Sequence, residues 1–449
     1  MQTLTQNTST VVQDCLDHTL FPWAKQAGFK PLEIDYAQGV HFYTTDGKKY
    51  LDFSSQLINM NIGHGNAEIL KAVTEQMQRF SFVTPASAYE LKAELGKKLA
   101  AIAPGNLNKV FYTVGGAEAN ENAIKIARLV TGRHKIITLY QSYHGATYGA
   151  IALSGDPRKF PVDKSLMPHV VHIENPHFYR CPWGTTNEET CKEKALEQLE
   201  RVIKYEGEEN IAAILLEGES GTSGCLKYPK GYWKGVSAIA KKYGILTISD
   251  EVMSGFGRTG KWFGVENHGA CPDIMTMAKG ITGGYLPLGA VMVNDEIAAF
   301  FNHHVLPLGL TNAAHPVCLA AALAAIKVYE TGGLLENATK MGDYIEQHLF
   351  EIQKHHPSVG DVRITGLLGC LELVKNKNTR EPMAPFNAKA GEMEAMNKLS
   401  ARLNESGLFT ILRWNYLFVA PPLIINREAA DHGLTIIDEA LELTDKYCK

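Results

Sequence analysis

The chain contains no Cys-x-x-Cys pair. Its eight cysteines (Cys15, Cys181, Cys191, Cys225, Cys271, Cys318, Cys370 and Cys448) are scattered over 449 residues. That spacing offers neither a zinc-ligand set nor a disulfide framework, and no metal is expected. No apolar run approaches the length of a membrane span, so no membrane partner is expected. No Lys/Arg run is long enough to make nucleic acid the main partner, and the formal charge of −4 is mild. Residues 1–12 are rich in Thr, Gln and Ser and lack the apolar centre of a secretory signal. They are expected to be loose, and the expected location is a reducing, cytoplasmic one. No internal repeat stands out. What remains, 45% apolar and 20% charged residues, fits an ordinary globular protein long enough for two or three domains.

Periodicity organises the chain. Gly39-Val-His-Phe-Tyr-Thr-Thr-Asp-Gly47 alternates and closes on Asp-Gly, which predicts a hairpin with residues 49–53 as the returning strand. Over residues 68–80, Ile69, Val73, Met77 and Phe80 share one helical face. β-Branched runs at 110–113, 135–140 and 211–217 then alternate with helical patterns at 118–130 and 230–243. Strand and helix in alternation predict an α/β fold with a mostly parallel sheet flanked by helices. Residues 175–190 show no periodicity and read as a surface excursion or an entrance wall. An Ala-rich helix is expected at 315–329, a hinge at Gly332-Gly333, and C-terminal strands at 366–374 and 416–420. The division that follows is an N-terminal segment (1–67) packing with a smaller α+β domain (334–449), and a large domain between them (68–333).

Two runs in the large domain carry the chemistry. Ile245-Leu-Thr-Ile-Ser-Asp-Glu-Val-Met253 places Asp250 at the end of a β-branched run. Ser254-Gly-Phe-Gly-Arg-Thr-Gly260 follows, and then Asp273-Ile-Met-Thr-Met-Ala-Lys-Gly280 brings Lys279 to the end of another. Carboxyl ends of strands in α/β sheets are where such enzymes build their sites. An acid and a lysine meeting there suit pyridoxal 5′-phosphate (PLP). Its aldehyde forms a Schiff base with a lysine, and its pyridine nitrogen needs a carboxylate to stay protonated. Taken singly, Asp250 reads as a turn or cap residue and Ala-Lys-Gly as nothing; the combination is what points to a site.

Asp250-Glu-Val-Met-Ser-Gly-Phe-Gly-Arg-Thr-Gly260 and Ala278-Lys-Gly280 resemble the class III (ω-) aminotransferases of PLP fold type I. The resemblance runs from about Asp46 to the C-terminus and is nearest to the branch acting on taurine and other ω-amino acids. It implies a transaminase with an amine donor and a keto-acid acceptor, pyruvate or 2-oxoglutarate. In that reading Lys279 is the Schiff-base lysine and Asp250 the partner of the pyridine nitrogen. Tyr143, in Ser142-Tyr-His-Gly145, stacks on the ring beside His144, Val252 packs the opposite face, and Glu217 fixes the site by hydrogen bonds. Met253 stands where several subfamilies carry a glutamine that bonds the ring hydroxyl.

Phosphate contacts are expected from Tyr112-Thr-Val-Gly-Gly-Ala-Glu-Ala-Asn120, where a Gly-Gly turn opens a helix. Relatives commonly carry hydroxyls where this chain has Gly115-Gly116-Ala117, which leaves the binding to backbone N–H groups. Thr311, in Gly309-Leu-Thr-Asn-Ala-Ala-His-Pro316, matches a family threonine that reaches the phosphate of a neighbouring subunit. The resemblance therefore implies a homodimer with shared sites; Thr311 reads equally as a cap for the next helix. For the substrate acid group the candidate is Arg413, with a plain surface arginine as the other reading. Thr222 stands where glutamate-using branches carry an acid that neutralises this arginine. Trp23 and Tyr148 are candidate walls of the donor pocket, and Arg158 a candidate contact for an acidic group. A lyase, aminomutase or racemase of the same fold uses the same lysine and aspartate. A non-catalytic nucleotide-binding α/β protein built on Gly115-Gly116 is the alternative from another class.

Overall fold

The structure, a computed structural model, describes residues 9–449. Its centre is a seven-stranded sheet ordered Leu107–Thr113, Gly289–Asn294, Ile274–Met277, Leu246–Asp250, Ile211–Glu217, Lys135–Leu139, Val170–Ile173. Gly289–Asn294 runs against both neighbours, and the remaining strands point one way. Every residue of Ile211–Glu217 is buried, as a central parallel strand with both faces covered requires. The carboxyl ends of Ile211–Glu217, Leu246–Asp250 and Ile274–Met277 thus open side by side on one edge.

Helices cover the sheet where the sequence supplies caps. Ala67–Arg79 starts at Asn66, whose side chain accepts from the amides of Glu68 and Ile69. Gly116–Thr131 packs seven buried residues against the sheet, Ala123, Ile126 and Ala127 among them. Pro316–Thr331 is Ala-rich and mostly buried, and Leu334–His355 follows it. The C-terminal part builds its own sheet from Val359–Thr365, Leu368–Asn376, Tyr416–Val419 and Leu412–Arg413. The predicted hairpin is present as His41–Thr44 and Lys49–Asp52, and Leu408–Phe409 pairs in parallel with the latter. The beginning of the chain is therefore hydrogen-bonded to its last quarter.

Arg258, from the Gly-Phe-Gly-Arg-Thr-Gly loop, ties these parts together. It is fully buried and donates to the carbonyls of Leu367, Ala420 and Pro421, to Ser55 Oγ and to Asn61 Oδ1. Among the described residues no single helix is long and apolar enough to cross a membrane. All eight cysteines are free.

Three expectations are corrected. Residues 10–12, the end of the stretch read as loose, open the helix Thr10–His18, capped by Ser9; the first eight residues lie outside the described ones. The stretch 175–190 is not wholly superficial. Asn175 and His177 are buried, and Arg180 Nε donates to the buried Glu372, a long-range ion pair that no local periodicity announces. Thr311 does not cap the next helix. His315 holds the N-cap position, because Pro316 sets the first helical turn.

Candidate active site

Lys279 follows the strand Ile274–Met277 with a backbone φ of 43°, a left-handed conformation that costs a non-glycine residue energy. The turn aims it into a cavity of about 500 Å³. Gly115, Gly116, Ala117, Tyr143, His144, Glu217, Asp250, Val252 and Lys279 all line this cavity, together with Thr222 and Met253. Burial pulls the Lys279 ammonium below its ordinary pKa, while the carboxylates of Asp250 and Glu217 pull the other way.

Asp250 is 4% exposed and is held by three donors. Oδ2 accepts from Asn120 Nδ2 at 2.7 Å and lies 2.8 Å from His144 Nδ1; Oδ1 accepts from the amide of Val252 at 3.0 Å. Asn120 is itself oriented, because Thr276 Oγ1 donates to its Oδ1 at 2.7 Å and its Nδ2 also reaches the carbonyl of His144 at 2.8 Å. Sequence reading missed Asn120 and Thr276. His144, read as lying beside the cofactor ring, turns one ring nitrogen to Asp250 and the other toward Thr138 Oγ1. Glu217 sits directly beside Asp250 in the paired strands. Burial first, and then the charge of Asp250, push its carboxyl up to about 8, and Oε2 has no hydrogen-bond partner.

The opposite wall is a helix start. Gly115 caps Gly116–Thr131 without any side-chain hydrogen bond, so the first amides of a 16-residue helix face the cavity unclaimed by a cap. A side chain at 116 is excluded, since a Cβ there would stand 2.8 Å from both methyls of Val252. Thr311 lies in an exposed turn and does not line the cavity formed by one chain.

The substrate candidates divide. Arg158 lies over the Tyr143 ring, 3.6 Å from its centroid, which leaves the other face of Tyr143 for the cavity. Arg413 Nη1 donates to the carbonyl of Thr222 at 3.3 Å. Both arginines meet at Asp156, which sequence reading passed over although it stands two residues before Arg158. Trp23 is 65% exposed and Tyr148 58%; neither lines the cavity of one chain, though Trp23 lies 5.9 Å from the Arg158 guanidinium. Elsewhere, among the described residues, His177, Asp361 and Glu372 are spaced as metal ligands could be. Arg363 Nη1 stands between the two carboxylates at 2.6 and 2.7 Å, so a guanidinium already occupies that position.

PLP fits this cavity by its donor set. A lysine, a carboxylate that accepts, an aromatic face and an uncapped helix start for the phosphate converge on one volume. Comparison with known proteins agrees. The family description "Aminotransferase class-III" matches residues 23–441. A solved structure of taurine:2-oxoglutarate aminotransferase from Bifidobacterium kashiwanohense, in complex with PLP and glutamate, superposes with a TM-score of 0.94. It is 40% identical and covers 97% of this chain and 98% of its own. Putrescine–pyruvate aminotransferase of Pseudomonas aeruginosa is 34% identical over 445 residues, 95% of each chain. Leucine/methionine racemase of Thermococcus litoralis is 35% identical over 429 residues, 94% of this chain and 93% of the relative. The chain belongs to the class III aminotransferase family. It is a PLP-dependent transaminase of fold type I, of the ω-amino acid and amine type.

Proposed function

We propose that the enzyme moves the terminal amino group of an ω-amino acid with an acidic tail, of the taurine, β-alanine or 4-aminobutyrate type, to 2-oxoglutarate or pyruvate. Taurine is the best single donor. The observation that carries this is the arginine pair, Arg158 and Arg413, beside the cavity that holds Lys279 and Asp250. The taurine:2-oxoglutarate neighbour supports the same donor class.

When bound, PLP supplies an aldehyde for amine exchange and an electron-withdrawing pyridinium. Lys279 Nζ would be the anchoring amine and the group that moves a proton at the donor carbon; its burial favours the neutral, nucleophilic amine. Asp250 holds a negative charge in place through Asn120, His144 and the Val252 amide. Tyr143 and Val252, on the cavity wall, would hold the ring between them, and the amides of Gly116 and Ala117 would hold the phosphate. Glu217, with a proton at neutral pH, adds no second negative charge beside Asp250. Arg158 and Arg413 receive the tail, with Trp23 beside Arg158. The working unit in this proposal is a homodimer in which Thr311 completes the partner's phosphate site. The eight free cysteines support a reducing, cytoplasmic setting.

Product analysis on a panel of taurine, β-alanine, 4-aminobutyrate and ornithine, each with pyruvate and with 2-oxoglutarate, tests the reading. Amino transfer from an acid-tailed ω-amine, dependent on the keto acid, is expected. A racemase is the second reading, favoured by the Thermococcus litoralis relative. Interconversion of leucine or methionine enantiomers without any keto acid, and no transfer from the panel, would replace the first reading with it.

A further inference from the structure

We infer that Asp156 is the positioning residue that sets the charge and placement of the substrate-tail site. The inference rests on the proposed donor class. Asp156 is 1% exposed, and its backbone is pinned. A Cβ on the preceding Gly155 would stand 2.4 Å from the carbonyl oxygen of Leu139 and from Tyr140 Cα, so only glycine lets this turn press against the strand end. Pro157 follows, and the Asp156 carboxylate accepts from the Arg158 amide at 2.9 Å. The carboxylate is a fixed anchor.

Two guanidinium groups from distant parts of the chain share it. Arg158 binds it with two parallel hydrogen bonds, Nε to Oδ1 at 2.9 Å and Nη2 to Oδ2 at 3.1 Å. Arg413 Nη2 donates to Oδ2 as well. Burial alone would raise the pKa of Asp156, but the bonds to Arg158 and the charges of Arg413 and Arg158 outweigh it, so the carboxylate stays ionised. One negative charge against two positive ones leaves a single positive charge unneutralised. The arginine side chains are 28% and 18% exposed while their carboxylate is hidden, so the surplus faces outward. Arg158 is fixed against Tyr143, and Arg413 against the Thr222 carbonyl, both on the cavity wall. Without Asp156 the two like charges would repel and neither fork would keep its orientation. The site is thus built for one anionic head, a carboxylate or a sulfonate, on the far end of the donor.

The test uses the PLP-loaded enzyme and the isosteric, uncharged Asp156→Asn. β-Alanine and taurine are compared with n-propylamine, which has the amine and no acid. Binding of 1-propanesulfonate, an unreactive anion, is measured by calorimetry. The expected result is a rise of about ten-fold or more in KM for β-alanine and taurine and in Kd for propanesulfonate. The kcat for all donors, and the KM for propylamine, stay within about two-fold of wild type, as a loss of tail binding alone requires. Unchanged or tighter anion binding would overturn the inference, and so would an equal loss with propylamine. If Asp156→Asn does not fold, the smaller Asp156→Ser is read the same way. Loss of folding in both would assign Asp156 to folding and overturn the inference. Anion binding keeps the two claims separate: a wild type that binds propanesulfonate, loses it in the variant and yet transaminates nothing in the panel would uphold Asp156 and sink the proposed function.

Discussion

Asp250 owes its position to groups that its own motif does not contain. Asn120 stands 130 residues away along the chain, and Thr276, which orients it, is 156 residues from Asn120. Asp250 and Lys279 were legible because each ends an apolar run, a pattern local in sequence. The contacts of Asn120, Thr276 and Asp156 were not, because each is made with a partner brought in by the fold. Asp250→Asn keeps a hydrogen-bond acceptor and loses the fixed charge. Single-turnover proton removal is expected to slow by roughly a hundred-fold, the scale of one preorganised electrostatic contact. Near-normal rates would rule the role out. Glu217 gives a prediction in pH. Below its ordinary value of 4.5 both folded and unfolded states hold the proton; between 4.5 and about 8 only the folded state does, so stability falls as pH rises; above about 8 the fall ends. Thermal unfolding of Glu217→Gln, which does not titrate, should therefore gain on wild type across that window and level off above it. A gap that does not change with pH would contradict the protonated carboxyl.

At the scale of elements, strand and helix runs of the sheet were readable from periodicity to within a few residues. Ile211–Glu217 lies where its β-branched run predicts, and the helix expected at 118–130 spans Gly116–Thr131. What periodicity could not show was the role of connecting segments. Thr10–His18 is a short helix in polar sequence, and the 175–190 stretch is anchored by Arg180 to Glu372 across the fold. The Gly-rich loop was read for its neighbours Asp250 and Lys279, yet its own Arg258 makes five hydrogen bonds to three separate segments. Arg258→Leu should leave those buried acceptors unpaired and cost roughly 3 kcal/mol or more, since each bond to a charged group is worth about 1.5–3. Denaturant unfolding measures it; a loss below about 0.5 kcal/mol, typical of surface changes, would contradict this account.

On the scale of the whole molecule, the family threonine Thr311 lies away from the cavity of its own chain, in an exposed turn. The proposed shared-site homodimer turns that placement into a prediction. Thr311→Ala should weaken PLP retention by about ten- to hundred-fold, the value of one charge-assisted hydrogen bond of roughly 1.5–3 kcal/mol. Mixing Thr311→Ala with Lys279→Ala subunits should restore activity, since in a heterodimer one site carries both lesions and the other neither. No recovery in verified heterodimers would place the threonine's effect within its own chain. The hairpin and the α/β order were readable from sequence, whereas the pairing of Leu408–Phe409 with Lys49–Asp52 joins segments too far apart for any local pattern to register.

The central claim is that Lys279 is the amine that holds PLP, and borohydride reduction of the PLP-loaded enzyme tests it most directly. Reduction fixes the cofactor to whichever lysine carries it, and peptide mapping then reads the position. The account predicts one pyridoxyl-labelled peptide containing Ala278-Lys279-Gly280, and no specific label in Lys279→Ala. A label on any other lysine of the wild-type chain would contradict it.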